Sequence, residues 1–361
     1  MKSNLSSNHH FPKRIILTQY PAYTGVGKYV HDLMQVVVPD TTTYTMYFKK
    51  ADLSRPYYGQ MKMGGFNLPF TSGWFLNSGF QKAAFRNFRK QIKSHEKSGG
   101  YFFHYTDFGI EPMTSSSSSI LTLHDFFLVS DRYSKYHYRT QPFLKSNVKR
   151  YLKFEHVIAD TAHIAKEALE YGFEYEPEVV YPPAGEYILP GLNKVECRRK
   201  HNLPLDKKLV LSISSNDPRK NINAVSSTME MIDDNYKLVR VGSPVDKAYN
   251  FKNLSNAEIN ELYNACDVFL FPTLDEGLGF PLIEAMAAGI PVVSSDIEAV
   301  REICNDAAVL VEPVPTKFAP AIKEAISNRD QIVELGFVRS EFFSFENFQD
   351  KIIKVYSNLS N

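Results

Sequence analysis

The sequence predicts an α/β protein built from two doubly wound domains. Short apolar runs with strand character alternate with helical patterns along the chain, which favours parallel sheets covered by helices. This alternation restarts after the proline-containing segment 181–185. A chain of 361 residues is long enough for two domains of ordinary size. We therefore expect domains over residues 1–183 and 184–343, followed by a terminal helix over 344–361.

The first half contains apolar runs bounded by turn residues, and each of them predicts a strand. These strand candidates are residues 14–18, 44–48, 101–104, 120–123 and 157–159. Apolar residues at helical spacing predict helices over 28–38, 82–97, 144–153 and 163–171. Residues 19–27 are expected to form a loop between the first strand and the first helix.

The second half repeats this pattern. Strands are predicted over 209–213, 236–241 and 268–271, and helices over 222–232 and 257–265. A strand–turn–helix–strand segment follows, in which Pro281 suits the first turn of a helix because its missing N–H costs nothing there. Gly289, with a proline two residues later, predicts the end of that helix. The last helix is expected to begin near Phe343 and to reach about Leu359.

The turn before the helix at Pro281 predicts a binding site. Gly277 and Gly279 precede the helix N-terminus, where backbone N–H groups favour an anion and missing Cβ atoms let a ligand approach the backbone. Glu276 and Glu284 flank this turn, and carboxylates accept hydrogen bonds from hydroxyl groups. A phosphate together with hydroxyls indicates a nucleotide, a sugar or both. The alternative is an ordinary crossover connection with two solvated glutamates.

These residues carry a family resemblance. Glu276 and Glu284, with seven residues between them in EGLGFPLIEAMAAGIPVV, resemble the E-x7-E motif of retaining glycosyltransferases of family 4, and the match continues to residues 306–313. The resemblance extends over most of the chain. It implies the GT-B fold, in which two Rossmann-like domains face each other across a cleft and the terminal helix crosses back to the first domain. It also implies that the second domain binds the donor and the first binds the acceptor.

A basic turn over residues 217–221 follows the first strand of the second domain, where a Rossmann-like domain has its ligand crevice. Two cations at a helix start oppose the helix dipole, but they are reasonable if they hold a diphosphate. The turn resembles the P-R-K-N variant of the family, which implies that Lys220 binds donor phosphates. Arg219 is expected to replace an arginine that many members carry upstream, near Ser214, and Ser214 and Asn216 are expected to contact the donor. The alternative is an exposed basic turn.

The resemblance also assigns roles in catalysis. Glu276 would hold the hydroxyls of the donor sugar, and Glu284 would hold the ribose diol. Lys220 and Arg219 would stabilise the charge on the departing diphosphate, which is electrostatic stabilisation of a leaving group. Backbone N–H groups of the glycine turn would help, and these belong to Gly277, Leu278, Gly279 and Phe280. No metal site is needed for this chemistry, and no metal is expected.

Two groups in the first domain are candidates for the acceptor side. Gly25, Val26 and Gly27 occupy the place of the family's N-terminal glycine loop, near the donor phosphate and the acceptor, although such spacing also occurs in simple tight turns. His124 and Asp125 end a strand, as does the family's His-Asp pair, whose histidine points into the cleft near the transferred sugar. Asp125 is expected to orient the loop or the imidazole.

Two further stretches combine aromatic and basic residues. Residues 66–97 crowd apolar side chains ahead of a basic amphipathic helix, which suits an anionic membrane surface; core packing with a solvated charged face is the alternative. Residues 131–139 mix tyrosine with basic residues, which can bind sugars and phosphates or pack as an ordinary helix. His104 ends another strand and is a second candidate for the acceptor side. No nucleic-acid module is recognised, so no nucleic-acid partner is expected.

The composition limits the cellular locations that the sequence predicts for the protein. No apolar run approaches the ~18 residues of a membrane span, and the polar first 14 residues lack the apolar core of a signal peptide. Three widely spaced cysteines predict reduced thiols and a cytoplasmic location, with docking on the inner face of the cell membrane as an extension. The net charge is +1, but the first 185 residues are basic overall and the remainder is acidic.

The function that follows is that of a retaining, metal-independent hexosyltransferase. Its substrates would be a nucleotide-diphosphate sugar and a glycan, lipid-linked or small-molecule acceptor, and no cofactor is expected beyond the donor itself. Family frequency favours mannose, although glucose, galactose and N-acetylglucosamine fit the same motifs. The alternatives are a GT-B sugar-nucleotide epimerase, a phosphorylase, or a non-catalytic nucleotide-sugar-binding protein.

Overall fold

Two parallel sheets organise the chain, and each has six strands among the described residues. The computed structural model describes residues 13–18, 24–36, 43–47, 90, 92–98, 101–133, 135 and 141–358. Their contacts form two compact units: unit 1 comprises Met1–Val180 and Gln349–Asn361, and unit 2 comprises Tyr181–Phe348. Each unit combines a parallel sheet with helices, which confirms the predicted α/β fold class.

Unit 1 contains the strands β1 (Lys13–Thr18), β2 (Thr43–Tyr47), β3 (Tyr101–Tyr105), β4 (Ser119–Leu123), β5 (His156–Ala159) and β6 (Glu178–Val179). They pair in the order β2-β1-β3-β4-β5-β6. The helices are α1 (Gly25–Gln35), α2 (Gln141–Tyr151) and α3 (Ala162–Glu170), and residues 92–98 are also helical. Strand β4 is buried along its whole length, as expected for a parallel strand covered on both faces.

Helix α1 begins at Gly25 and not at Lys28, which corrects the prediction for the glycine segment. The side chain of Thr24 accepts a hydrogen bond from the backbone N–H of Gly27 at 3.0 Å and caps the helix. Gly25, Val26 and Gly27 are therefore the first helical turn and not a loop ahead of it. The cap compensates for the poor helix propensity of the two glycines.

Unit 2 contains the strands β7 (Lys208–Ser214), β8 (Tyr236–Gly242), β9 (Tyr249–Phe251), β10 (Val268–Phe271), β11 (Val292–Ser295) and β12 (Val309–Val311). They pair in the order β12-β11-β10-β7-β8-β9. The helices are α4 (Lys194–Lys200), α5 (Ile222–Met231), α6 (Asn256–Ala265), α7 (Phe280–Ala288), α8 (Glu298–Cys304), α9 (Pro315–Ser327) and α10 (Arg329–Glu341).

The core of unit 2 lies on both faces of its sheet. Successive residues of a strand point to opposite faces. Leu209 and Phe269 therefore join one apolar cluster, whereas Val210 and Val268 join the other. Helices cover both faces of the sheet, and this packing fixes the positions of the carboxyl ends of its strands.

The last helix, α11 (Phe345–Asn358), ends in unit 1. The hydroxyl of Tyr356 is 2.7 Å from Nδ1 of His104 on β3, and the Arg14 guanidinium lies 4.4 Å from the centroid of the Tyr356 ring. Ile352 is fully buried. These contacts bind the end of the chain to the sheet of unit 1.

Two predictions fall mainly on residues outside the described ranges. Of the segment 66–97, only residues 90 and 92–97 are described, and they are helical. Of the segment 131–139, residues 131–133 form a short 3-10 helix and residues 134 and 136–139 are not described. Along the described ranges, no helix combines the length and the apolar character needed to cross a membrane.

Candidate active site

The carboxyl edge of the unit 2 sheet brings the two predicted donor motifs together. Strands β7 and β10 are neighbours, and the order of strands along the chain reverses between them. In open parallel sheets, ligands bind at this switch point, beyond the carboxyl ends of the strands. The basic turn 217–221 follows β7, and Glu276 follows β10 in the loop that leads to α7.

Backbone hydrogen bonds join the basic turn to the loop after β10. The carbonyl oxygen of Arg219 accepts from the N–H of Leu274 at 2.6 Å and from the hydroxyl of Thr273 at 3.1 Å. Thr273 is fully buried, and its hydroxyl lies 2.9 Å from the carbonyl oxygen of Asp275. The position of the turn relative to Glu276 is therefore held by the main chain and does not depend on charged side chains alone.

Lys220 and Glu276 form an ion pair between the ammonium group and Oε1. Their side chains are only 13% and 6% exposed, and the Lys220 ammonium also lies 5.4 Å from the centroid of the Phe271 ring. Such a poorly solvated charge requires a partner of opposite sign. In the absence of a ligand, each residue is thus the counterion of the other.

Arg219 is held by its neighbour in the basic turn. Its Nε is 3.5 Å from Oδ2 of Asp217, and Oδ1 of Asp217 accepts from the backbone N–H of Arg219 at 3.1 Å. Asn221 ends the turn in the left-handed region with φ of 53°. Asn216 is exposed just before the turn. The predicted arginine thus lies at the edge of the site with an acidic partner of its own.

Glu284 is buried on α7 between two tyrosines. Its Oε1 accepts from the hydroxyl of Tyr187 at 2.5 Å, and its Oε2 accepts from the hydroxyl of Tyr263 at 3.1 Å. Burial raises the pKa of Tyr263 well above its usual value, and the Glu284 charge adds to this, so the phenol remains a donor. Sequence reasoning missed both tyrosines because they lie far from Glu284 along the chain, and no local pattern marks them.

The glycine turn lies directly before α7, as the sequence predicted. Gly279 precedes α7 with φ of 80°, and a Cβ atom there would lie 3.0 Å from Cδ1 of Leu282. Glycine is favoured in this left-handed region because it has no Cβ atom. For the same reason Gly279 has no side chain that could cap the helix. Leu278 is buried and belongs to the apolar core of unit 2. Pro281 in the first turn and Gly289 at the end, with φ of 72°, complete the predicted helix.

Arg240 on β8 is a third cation at this edge of the sheet, and sequence reasoning missed it. The side chain is fully buried and donates to the carbonyl oxygens of Ser212 at 3.1 Å, Ser214 at 2.7 Å and Ser243 at 3.1 Å. It also lies 3.0 Å from the Ser214 hydroxyl. Burial lowers the pKa of Arg240 to about 10, and its hydrogen bonds within the described residues go to carbonyl and hydroxyl oxygens. Ser214, a predicted donor contact, is therefore fixed by Arg240.

In unit 1, His124 follows β4 and contacts two oxygen atoms. Its Nδ1 is 2.6 Å from Oδ2 of Asp160, which follows the neighbouring strand β5, and its Nε2 is 2.7 Å from the carbonyl oxygen of Thr106. The ring of Tyr29 on α1 meets the imidazole edge-on at 4.9 Å between centroids. Asp160 was not predicted; the only signal was its place at the end of a strand beside His124.

The other predicted groups of unit 1 have local roles. Oδ1 of Asp125 accepts from the backbone N–H of Phe127 at 3.1 Å, so Asp125 shapes its own turn, one of its two predicted roles. His104 is fully buried with Nε2 2.7 Å from the hydroxyl of Thr122, and burial lowers its pKa to about 3. A neutral interior His104 does not fit the predicted role on the acceptor side. Gly25 is exposed, whereas Gly27 is buried.

Clusters of acidic, cysteine and histidine side chains that could hold a metal ion are absent from the part of the chain that the structure describes. The three cysteines, Cys197, Cys266 and Cys304, are buried and free. Burial raises the pKa of Cys266 and Cys304, so both are inert thiols at neutral pH.

Comparison with known proteins gives a family match that lies within unit 2. Residues 193–336 match the family of glycosyl transferases group 1. The chain is 26% identical over 231 residues to O-antigen chain mannosyltransferase RfbU of Salmonella typhimurium, which covers 59% of this chain and 61% of the relative. It is 31% identical over 102 residues to O-antigen chain mannosyltransferase B of Escherichia coli, which covers 27% of each. The matches thus span less than two thirds of these relatives.

Solved structures share the fold over nearly the whole chain. Sucrose-phosphate synthase from Thermosynechococcus elongatus superposes with a TM-score of 0.75 at 17% identity, covering 96% of this chain and 99% of that one. Anabaena HepE in complex with UDP-glucose gives a TM-score of 0.73 at 13% identity, covering 96% and 100%. These likenesses establish the GT-B architecture. Residues 193–336 are therefore a glycosyl transferases group 1 domain, in a chain that has the GT-B fold.

Proposed function

We propose that this protein is a retaining glycosyltransferase that moves a hexose from a nucleotide-diphosphate sugar to a glycan, lipid-linked or small-molecule acceptor. The observation that carries the proposal is the ion pair between Lys220 and Glu276, which joins a cation suited to a phosphate and a carboxylate suited to sugar hydroxyls at the switch point of one sheet. The group 1 match supports glycosyl transfer. The retaining outcome and the hexose rest on the E-x7-E resemblance.

The ion pair suggests how the donor enters. A diphosphate offers Lys220 a partner of higher negative charge than a single carboxylate, so the ammonium turns to the phosphate oxygens. Glu276 then accepts hydrogen bonds from hydroxyls of the sugar. The backbone N–H groups from Gly277 to Phe280, near the N-terminus of α7, add positive potential where the diphosphate lies. Arg219 adds a further cation at the rim, and Ser214 and Asn216 line the approach.

Glu284 is suited to hold the ribose of the donor. Each carboxylate oxygen can accept more than one hydrogen bond, so Tyr187 and Tyr263 leave room for a pair of hydroxyls. The two phenols also keep the carboxylate in one orientation. A fixed acceptor of this kind favours a vicinal diol over isolated hydroxyls.

The transfer step breaks the bond between C1 of the sugar and the diphosphate oxygen and forms a bond between C1 and the acceptor oxygen. For retention, the acceptor attacks from the face that the diphosphate leaves, and the departing phosphate takes the acceptor's proton. Lys220 and the N–H groups of the glycine turn stabilise the growing charge on the phosphate. His124 and the first turn of α1 belong to the acceptor side of this proposal, as does Asp125.

The donor sugar and the location of the enzyme are further parts of the proposal. Two relatives are named as O-antigen mannosyltransferases, which supports mannose, whereas Anabaena HepE was solved with UDP-glucose. We place the enzyme in the cytoplasm, with residues 66–97 docking on the anionic inner face of the cell membrane. Sedimentation with anionic vesicles but not with neutral vesicles would support docking, and equal sedimentation would reject it.

A panel of UDP-, GDP-, ADP- and TDP-sugars tests the function. We expect one donor to raise Tm and to be hydrolysed slowly without an acceptor, with release of the nucleoside diphosphate. Glu276→Ala should abolish this release. Lys200→Ala is the control, because Lys200 belongs to an exposed ion pair of the same unit. Conversion of the sugar nucleotide without release of the diphosphate would identify an epimerase, and binding without turnover would identify a non-catalytic protein.

Two additional measurements test the stereochemistry and the metal requirement. The anomeric proton of the product, observed by NMR, should show the configuration of the donor; inversion would contradict the retaining mechanism. EDTA should leave the rate unchanged. A rate lost in EDTA and restored by a divalent cation would overturn metal independence.

A further inference from the structure

Asp160 and His124 form a buried pair at the carboxyl edge of the unit 1 sheet. We propose that Asp160 is a positioning residue that holds His124 as an imidazolium with both ring N–H groups already committed. The protonation state concerns unit 1 by itself. The consequence for transfer rests on the proposed function.

The geometry requires two donors on the imidazole when Asp160 is ionised. A carboxylate oxygen of Asp160 lies 2.6 Å from Nδ1, and a carbonyl oxygen of Thr106 lies 2.7 Å from Nε2. With Asp160 ionised, both oxygens are acceptors only, and a neutral imidazole has a single N–H. A neutral ring would therefore place a nitrogen lone pair against one of these oxygens. The imidazolium satisfies both contacts at once.

Burial by itself raises the pKa of Asp160, whereas the His124 charge and hydrogen bond oppose that rise, so an ionised Asp160 depends on the imidazolium. The Asp160 carboxyl group is 2% exposed, and among the described residues Oδ1 is buried without a hydrogen-bond partner. A buried carboxylate with one unsatisfied oxygen is costly unless a full opposite charge lies against it. The hydrogen bond to Oδ2 comes from His124. A neutral imidazole would leave the carboxylate without that charge.

The groups around His124 add mainly negative charge. Three carboxyl groups raise the pKa of His124: Asp160, Asp107 after β3, and Asp125 next to it in sequence. The other titratable neighbours are the phenol of Tyr29 and the buried His104. Burial by itself lowers the pKa of His124, but the Asp160 charge and hydrogen bond outweigh it and raise the pKa above 6.5.

This state limits what His124 can do in catalysis. An imidazolium that donates both N–H groups within unit 1 cannot accept a proton from an acceptor hydroxyl. It can contribute a fixed positive charge beside α1, whose Tyr29 ring meets the imidazole edge-on. The acceptor's proton must then go elsewhere, in keeping with its transfer to the departing phosphate.

An NMR titration of the histidine rings tests the proposal without any substrate. In the wild-type protein, we expect both ring nitrogens of His124 to carry a proton at pH 7 and the ring to titrate above 6.5. In Asp160→Asn, the amide oxygen can still accept from Nδ1, but the charge is gone, so burial should move the pKa below 6.5. His156 is the internal control, because it lies at the other end of β5 and burial lowers its pKa.

The outcomes separate the two proposals. A wild-type His124 that is neutral at pH 7, or a His124 pKa that is the same in Asp160→Asn, overturns the inference. If Asp160→Asn does not fold, the protonation state of the His124 ring nitrogens in the wild-type protein decides the proposal by itself. If transfer is detected, the alkaline limb of its pH–rate profile should move to lower pH in Asp160→Asn. An unmoved limb would contradict a role of His124 in the reaction. If no donor is turned over, the proposed function fails while the titration still tests the pair.

Discussion

Removal of the Lys220 ammonium should destabilise unit 2 far more than removal of an exposed lysine. Lys220→Met keeps the aliphatic stem against Phe271 but leaves Glu276, which is 6% exposed, without its counterion. Breaking a buried ion pair on one side costs about 3 kcal/mol at the lower end of the measured range. For a domain of this size, that loss corresponds to a fall in Tm of about 6–12 °C.

A double-mutant cycle in urea isolates the pair. Glu276→Gln alone leaves the lysine uncompensated, whereas Lys220→Met with Glu276→Gln removes both charges. We expect the double variant to be more stable than the sum of the single changes predicts, with a coupling energy of about 2 kcal/mol. If the stability losses of the two single variants sum to that of the double variant within about 0.5 kcal/mol, the buried-pair reasoning is refuted.

The matched control is the pair between Lys200 and Glu261 on the surface of the same unit. Its lysine side chain is 60% exposed, so solvent screens the interaction. The same cycle with Lys200→Met and Glu261→Gln should give a much smaller coupling energy than the cycle at Lys220 and Glu276. Equal coupling in both pairs would mean that burial of Lys220 and Glu276 contributes nothing.

Three further changes have expected outcomes. Gly242→Ala should lower the free energy of unfolding by more than about 2 kcal/mol, measured in urea, because φ is 120° and the new Cβ atom would lie 2.1 Å from the carbonyl oxygen of Ser214. Tyr263→Phe should raise the donor KM several-fold with little change in kcat, since it removes one of two hydroxyls that orient Glu284. Asp267→Asn should reduce the acid sensitivity of folding. Burial opposes ionisation of Asp267, but Lys194 and the Leu209 N–H hold its pKa in the folded protein below 3.8. The carboxylate therefore stabilises the fold above pH 3.8, and this stabilisation is lost as the pH falls through the folded-state pKa.

Each of these changes has its own comparison. Gly191 also has a positive φ, 81°, but nothing lies within 4 Å of a Cβ atom added there, so a cost of Gly191→Ala equal to that of Gly242→Ala would contradict the clash. Tyr249→Phe, at an exposed tyrosine, should leave the donor KM unchanged. Acid unfolding of Asp267→Asn that follows the wild-type curve would show that this carboxylate is not linked to folding.

Sequence alone predicted the α/β class and the strand, turn and helix around α7 well. Strands such as β10 are continuous apolar runs, and Pro281 and Gly289 mark the helix ends through their own backbone preferences. The approach of Lys220 to Glu276 was also within reach, because both follow strands of one parallel sheet. The start of α1 was not, since the capping hydrogen bond from Gly27 to Thr24 competes with the low helix propensity of glycine.

The sequence by itself determined what depends on interactions over a few residues: the strands, the helix ends, and the residue types at the carboxyl edge of each sheet. Only the tertiary structure decided which side chains complete the sites, namely Tyr187 and Tyr263 on Glu284, Arg240 on Ser214 and Asp160 on His124. These partners are distant along the chain, and sheet order with core packing sets their proximity. No periodicity records such contacts, because each partner alone would be an ordinary core or strand-end residue.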